Sequence, residues 1–230
     1  MRPNRLALVK SLLPKLALAI GAGDGGTPTP LKLSELFDAA PRNVWLEIGF
    51  GGGEHLVAQA RANPNIGFIG CDPFFEGVGK LLSQIEAEGL SNIRIFPGDA
   101  NRLITALPGV CLGKVFALFP DPWPKKRHHK RRLVNKGFLN SLARTMCDDA
   151  TFHFSTDHDE YGRWVLRFLL EHQAFDWSAR GPRDWRARPS DGIVTRYEQK
   201  ALTAGRTCIY LQFQRRQRTQ HRLENCSQLP

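Results

Sequence analysis

From residue 44 onward, short apolar runs alternate with stretches of helical period. Val44–Ile48, Ile66–Cys71, Ile93–Phe96, Val115–Phe119 and Phe152–Ser155 are brief, apolar and bounded by turn formers, as buried strands are. Between and after them, 53–62, 77–88, 101–106, 136–146 and 161–171 read as helices. In the second of these Val78, Leu81, Leu82 and Ile85 fall on one face. Ile209–Phe213 is a late strand that needs no helix after it. Strands alternating with helices predict an α/β fold whose mostly parallel sheet carries helices on both faces. The Gly/Pro-rich stretch Gly21–Pro30 reads as a linker. The expected division is therefore a basic arm and linker over 1–30, one domain over 31–216, and a basic tail over 217–230.

In such a sheet, ligands bind beyond the carboxyl ends of the strands. Each of the first five strands is closed by an acidic residue: Glu47, Asp72, Asp99, Asp121 and Asp157. Any one of them alone also reads as a helix cap or a turn former. Five at consecutive strand ends point to a cleft lined with carboxylates.

The first strand runs into Glu47-Ile48-Gly49-Phe50-Gly51-Gly52-Gly53-Glu54. Glycines let the backbone turn sharply and approach a ligand closely. Gly49 and Gly51 fit the first two places of a dinucleotide fingerprint, but Glu54 stands where the third small residue belongs. A diphosphate beside Glu47 and Glu54 would also meet like charge. A cationic cofactor removes the difficulty: the sulfonium and amino groups of S-adenosylmethionine are both positive. Asp72 then follows at the distance where a carboxylate accepts from a ribose diol. Asp99-Ala100 is placed to hold the adenine amino group.

Composition adds a partner. Of 230 residues, 42% are apolar and 23% charged, ordinary for one soluble domain. Lys plus Arg number 32 against 22 Asp plus Glu, a formal charge of +10 with a pI near 9.7, which favours a polyanion. The charge is concentrated in the Phe119–Asn135 stretch, FPDPWPKKRHHKRRLVN. Pro120, Pro122 and Pro124 stiffen the chain around Asp121 and Trp123. Lys125 to Arg132 then supply eight consecutive basic or histidine residues, a stripe for phosphates, with Trp123 beside it for a base. His128 and His129 have no flanking ligands, so no metal site is expected. The five cysteines form no Cys-x-x-Cys pair, which fits a reducing cytoplasm. Residues 1–23 imitate a secretory signal, but Pro14 and Lys15 split the apolar part. No apolar run is long enough to span a membrane, and no obligate protein partner is implied.

These motifs together resemble the bacterial tRNA (guanine-N7)-methyltransferases. The resemblance rests on Glu47–Gly51, Gly98–Ala100, the Phe119–His128 block, Ser155-Thr156-Asp157 and Thr195-Arg196-Tyr197-Glu198, and it spans residues 44–215. It implies a Rossmann-like class I methyltransferase with a seven-stranded sheet, S-adenosylmethionine as donor, and N7 of guanine 46 in the tRNA variable loop as acceptor. It further implies cofactor contacts from Glu47, Gly49, Gly51, Asp72, Asp99, Ala100 and Asp121. Catalysis is assigned to Asp121. Contacts with tRNA are assigned to Lys125, Asp157, Thr195, Arg196, Tyr197 and Glu198. One departure is Asp72, where the family commonly has glutamate. Two other readings of the chain are an RNA-binding protein without activity and a small-molecule enzyme on a similar sheet.

Overall fold

The computed structural model describes residues 1–21 and 27–218. Its seven strands are β1 (Asn43–Ile48), β2 (Ile66–Cys71), β3 (Ile93–Phe96), β4 (Leu112–Leu118), β5 (Met146–Thr156), β6 (Phe175–Trp177) and β7 (Ile209–Arg215). They form one sheet in the order β3-β2-β1-β4-β5-β7-β6. Strands β1 to β5 pair in parallel, and β7 runs antiparallel to both β5 and β6. The chain reverses its direction of travel between β1 and β4, so a crevice opens at their carboxyl ends. Glu47 of β1 lies in register with Gly70 of β2 and Phe116 of β4 at that edge.

The helices are α1 (Pro3–Ser11), α2 (Leu13–Leu16), α3 (Glu54–Ala62), α4 (Phe75–Glu88), α5 (Ala100–Ala106), α6 (Lys136–Thr145), α7 (Asp159–Leu170), α8 (Arg183–Arg186) and α9 (Arg196–Thr203). One face of the sheet packs on α5, α6 and α7 through residues such as Leu103, Phe138, Leu142, Tyr161 and Val165. The other packs on α3 and α4 through Leu56, Val57, Val78, Leu81 and Ile85. The caps explain the starts: Asp99 accepts from Asn101 N at 2.8 Å, Asn135 from Phe138 N at 3.0 Å, and Thr195 from Glu198 N at 3.1 Å. Gly89, with φ +65°, ends α4 in the left-handed region that favours glycine.

The expected strands and helices are present, with ends shifted by a few residues. Three features differ. Residues 3–18, within the expected basic arm, pack on the domain. Leu8, Leu13 and Leu16 are buried against α4 and β3, and Leu18 N donates to Ile95 O at 2.8 Å, lengthening the sheet edge beside β3. The basic residues there mask an apolar stripe that points inward. Second, β6 is a three-residue edge strand too short to leave a pattern. Third, 183–203 carries two short helices, α8 and α9, which the alternation of strands and helices does not predict. Beside α3, Asp191 anchors this segment to the sheet. Its carboxylate takes Lys114 Nζ at 3.2 Å and its carbonyl accepts from Gln59 at 2.8 Å. Of the expected tail, only 217 and 218 fall among the described residues, and Arg218 pairs with Asp148. Among the described residues no helix is long and apolar enough to cross a membrane.

Candidate active site

The turn after β1 is built from its glycines. Gly49 and Gly51 have φ of +74° and +57°, and Gly53, at +86°, opens α3. Gly49 N donates to Cys71 O at 2.7 Å, which ties the turn to β2. Gly77 on α4 packs so closely that a Cβ there would sit 2.2 Å from Gly51 O. The turn is thus held from both sides while its inner edge faces a cleft of about 440 Å³.

Four of the five strand-end acids line that cleft: Glu47, Asp72, Asp99 and Asp121. Gly49, Gly51 and Ala100 line it as well. Asp72 is buried, and its two oxygens accept from Gly51 N and Phe74 N, each at 2.8 Å. Its expected role is therefore shared: the carboxylate shapes the glycine turn and has only its remaining lone pairs for a ribose. Burial pushes the Asp72 carboxyl above the usual range. The amides of Phe74 and Gly51 work against that shift, and the charges of Glu47 and Asp121 add to it. A buried carboxyl raised by burial and by neighbouring negative charge marks a cleft that favours a cation. Asp99 is exposed and caps α5 with one oxygen, so the cap reading and the cleft reading hold together.

Asp121 sits on the exposed rim. Its loop begins where Phe119 N donates to Ser155 O at 2.8 Å. Phe119 and Trp123 take φ of +53° and +44°, positions L side chains rarely adopt, and each precedes a proline. Arg131 lies over the Trp123 ring at 4.9 Å, and both residues line the cleft.

The basic run is not one stripe. Lys126–Arg131 form a 3-10 turn, and Lys125, Lys126, Arg127, Lys130 and Arg131 are exposed. Arg132 is removed from the set. It is 2% exposed, with its guanidinium on Glu160 and on the carbonyl of Pro122. A buried guanidinium already committed to a carboxylate is not free to neutralise a phosphate.

The remaining expected residues divide. Thr195, Arg196 and Tyr197 line the cleft, and a Cβ at Gly51 would lie 3.4 Å from the Tyr197 ring. Glu198 turns away from it. It is 2% exposed and holds Arg188 Nε at 2.8 Å and Tyr210 OH at 2.5 Å. Asp157 pairs with Arg206 at 2.7 Å and lies off the cleft, as does exposed Lys125.

The structure adds His55, which its place in α3 gave no reason to single out. Its Nδ1 lies 2.7 Å from Glu47 Oε2, and both side chains are buried. Burial works to lower the imidazole pKa, but Glu47 overcomes it by charge and hydrogen bond, helped by Asp191 against Lys114, and the net shift is upward. A raised folded-state pKa gives stability that is full below the unfolded value near 6.5 and is lost as pH rises through the folded value. Denaturant titrations of the parent and His55→Asn between about pH 6 and 9 should therefore show a stability difference that shrinks with rising pH. A constant difference would mean that the pair carries no proton of its own.

The site fits S-adenosylmethionine. The glycine turn allows close approach, Glu47 is held by His55 through one oxygen, and the grouped carboxylates suit a sulfonium and an ammonium. Fold and cleft define an S-adenosylmethionine-dependent methyltransferase. A family model described as putative methyltransferase matches residues 41–211. A tRNA (guanine-N(7)-)-methyltransferase from Rhodospirillum rubrum is 48% identical over 219 residues, covering 95% of this chain and 85% of the relative. One of the same name from Ruegeria pomeroyi is 46% identical over 216 residues, covering 94% and 90%. The chain belongs to this bacterial tRNA (guanine-N7)-methyltransferase family. Among solved structures, the 16S rRNA methyltransferase KamB superposes with a TM-score of 0.57 at 17% identity, covering 77% of this chain and 89% of that one. A variant of the 16S rRNA (adenine(1408)-N(1))-methyltransferase from Catenulisporales acidiphilia gives 0.55 at 16% identity, covering 87% and 98%. At such identities these two speak for the fold alone.

Proposed function

We propose that this chain methylates N7 of guanine 46 in the variable loop of tRNA, in the cytoplasm. One observation carries the reading: an acidic cleft suited to a cationic donor opens beside an exposed basic turn, with Asp121 on the rim between them. S-adenosylmethionine supplies an electrophilic methyl group on its sulfonium. Glu47, Asp72 and Asp99-Ala100 bind and orient the donor, with Gly49 and Gly51 giving the backbone close approach. Guanine N7 carries an in-plane lone pair and no proton, so the reading needs neither a general base nor a metal. What remains is alignment, which can contribute about 7–11 kcal/mol. Asp121 accepts from guanine N1–H and the exocyclic amino group and favours the positive charge that grows on the ring. Thr195, Arg196 and Tyr197 flank the guanine from the α9 side. Lys125 binds phosphate. Asp157 and Glu198 act through Arg206 and Arg188, which they hold in place. The deciding experiment incubates the protein with labelled donor and unmodified tRNA and maps the product. Label at any atom other than N7, or at another nucleotide, refutes it.

Affinity for tRNA should fall steeply with salt if about four to six phosphates are neutralised. Replacing Lys126, Arg127 and Lys130 together by alanine should flatten the slope of log affinity against log salt by about two to three. A slope unchanged by the triple substitution would place the RNA on another face.

A further inference from the structure

The side chain of Arg132 lies wholly inside the protein, with its guanidinium between the rings of Tyr161 and Trp164, 5.0 and 4.8 Å from their centroids. Its Nη1 donates to Glu160 Oε1 at 3.0 Å, and its Nη2 donates to the other oxygen of the same carboxylate. Its Nε donates to the carbonyl of Pro122 at 2.9 Å. That carbonyl belongs to the residue that follows Asp121. Trp164 in turn donates from its indole nitrogen to Val134 O at 2.9 Å, fixing the chain just beyond Arg132. One guanidinium thus joins the loop that carries Asp121 to the first two turns of α7.

The loop needs such a tie. Phe119 and Trp123, on either side of Asp121, both have positive φ without being glycine. Backbone in that region persists only where the surroundings over-determine it. The start of the loop is held by the Phe119–Ser155 hydrogen bond, and the bond from Arg132 reaches its middle. Glu160 is half exposed, so water screens the ion pair and its charge attraction alone adds little net stability. A planar fork that satisfies a carboxylate with two nitrogens and a carbonyl with a third instead fixes direction.

We propose that Arg132 is a positioning residue for methyl transfer: clamped by Glu160, it holds the Pro120–Pro124 backbone so that Asp121 faces the reacting guanine. The inference rests on the reading of Asp121 given above. Lysine in this place keeps the charge but cannot reach Glu160 with two nitrogens and Pro122 with a third.

The test compares Arg132→Lys, Glu160→Gln and Asp121→Asn with the parent. The measurements are single-turnover methylation of unmodified tRNA, donor and tRNA dissociation constants, and Tm. A misplacement of about 1 Å costs roughly 100-fold. Lysine permits part of the alignment, so Arg132→Lys should lower the single-turnover rate about tenfold, with both dissociation constants within about twofold of the parent. Glu160→Gln keeps the guanidinium but weakens its anchor and should lower the rate by a smaller factor in the same pattern. A parental rate with a lowered Tm overturns the proposal, because Arg132 is then only part of the packing. If Arg132→Lys does not fold, Glu160→Gln decides by the same two outcomes. Failure of the underlying reading looks different: Asp121→Asn then also turns over at the parental rate. A slow Asp121→Asn beside a fast Arg132→Lys refutes the clamp alone.

Discussion

Asp121→Asn should slow turnover by about 10²–10³ while leaving the fold and the affinity for tRNA largely intact. The side chain is exposed on the cleft rim, and its loop is set by prolines, by the bond from Phe119 to Ser155 and by the bond from Arg132 to Pro122. None of these depends on the carboxylate, so the substitution does not release the loop. Asparagine has nearly the same shape, but it presents one acceptor where the carboxylate presents two, and no charge. The charge matters most when the guanine ring becomes positive, which happens only as the methyl group moves. The loss should therefore appear in the rate of transfer rather than in binding. Raising the pH should not restore it, because no proton leaves N7 before attack. His128→Ala and His129→Ala should cost far less. A normal rate in Asp121→Asn beside an inactive histidine variant would require a general base and would end this account.

Much of the architecture is written locally in the chain. The central parts of β1 to β5 are largely buried apolar runs, and helices follow them, with a regular apolar face in α4 at Val78, Leu81, Leu82 and Ile85. The carboxyl-end acids follow from strand position alone, which is why Glu47, Asp72, Asp99 and Asp121 could be expected in one cleft. What the sequence hides is set by distant partners. Arg132 follows a run of basic and histidine residues and looks like one of them. Its burial is decided by Glu160, Tyr161 and Trp164 of α7, about thirty positions later. Glu198 belongs to a polar motif, yet Arg188 and Tyr210 draw its carboxylate inward. His55 lies on a helix with no local sign of function, and only the turn after β1 brings it to Glu47. The leucines of residues 8–16 lie among basic residues, and that charge obscured their inward face.

Glu47→Gln should weaken donor binding by roughly 10- to 150-fold, the worth of a charge-assisted hydrogen bond of about 1.5–3 kcal/mol, and leave tRNA affinity unchanged. Glu47 is 3% exposed at the end of β1, on the cleft side of the sheet, so on the proposed reading its charge would act on the donor with little screening by water. Glutamine is the informative choice. Alanine would remove the charge but would also leave His55 buried without its partner, mixing a binding loss with a folding loss. Glutamine keeps a hydrogen-bonding oxygen near Nδ1. The same substitution should reverse the His55 shift. With the Glu47 charge gone, desolvation, the largest influence on this imidazole, is left to act and lowers its pKa. A histidine proton titration followed by NMR reads that change, and calorimetric titration with S-adenosylmethionine reads the affinity. If the imidazole pKa falls but donor affinity is unchanged, Glu47 serves the buried pair alone, and the cation must be held by Asp72 and Asp121.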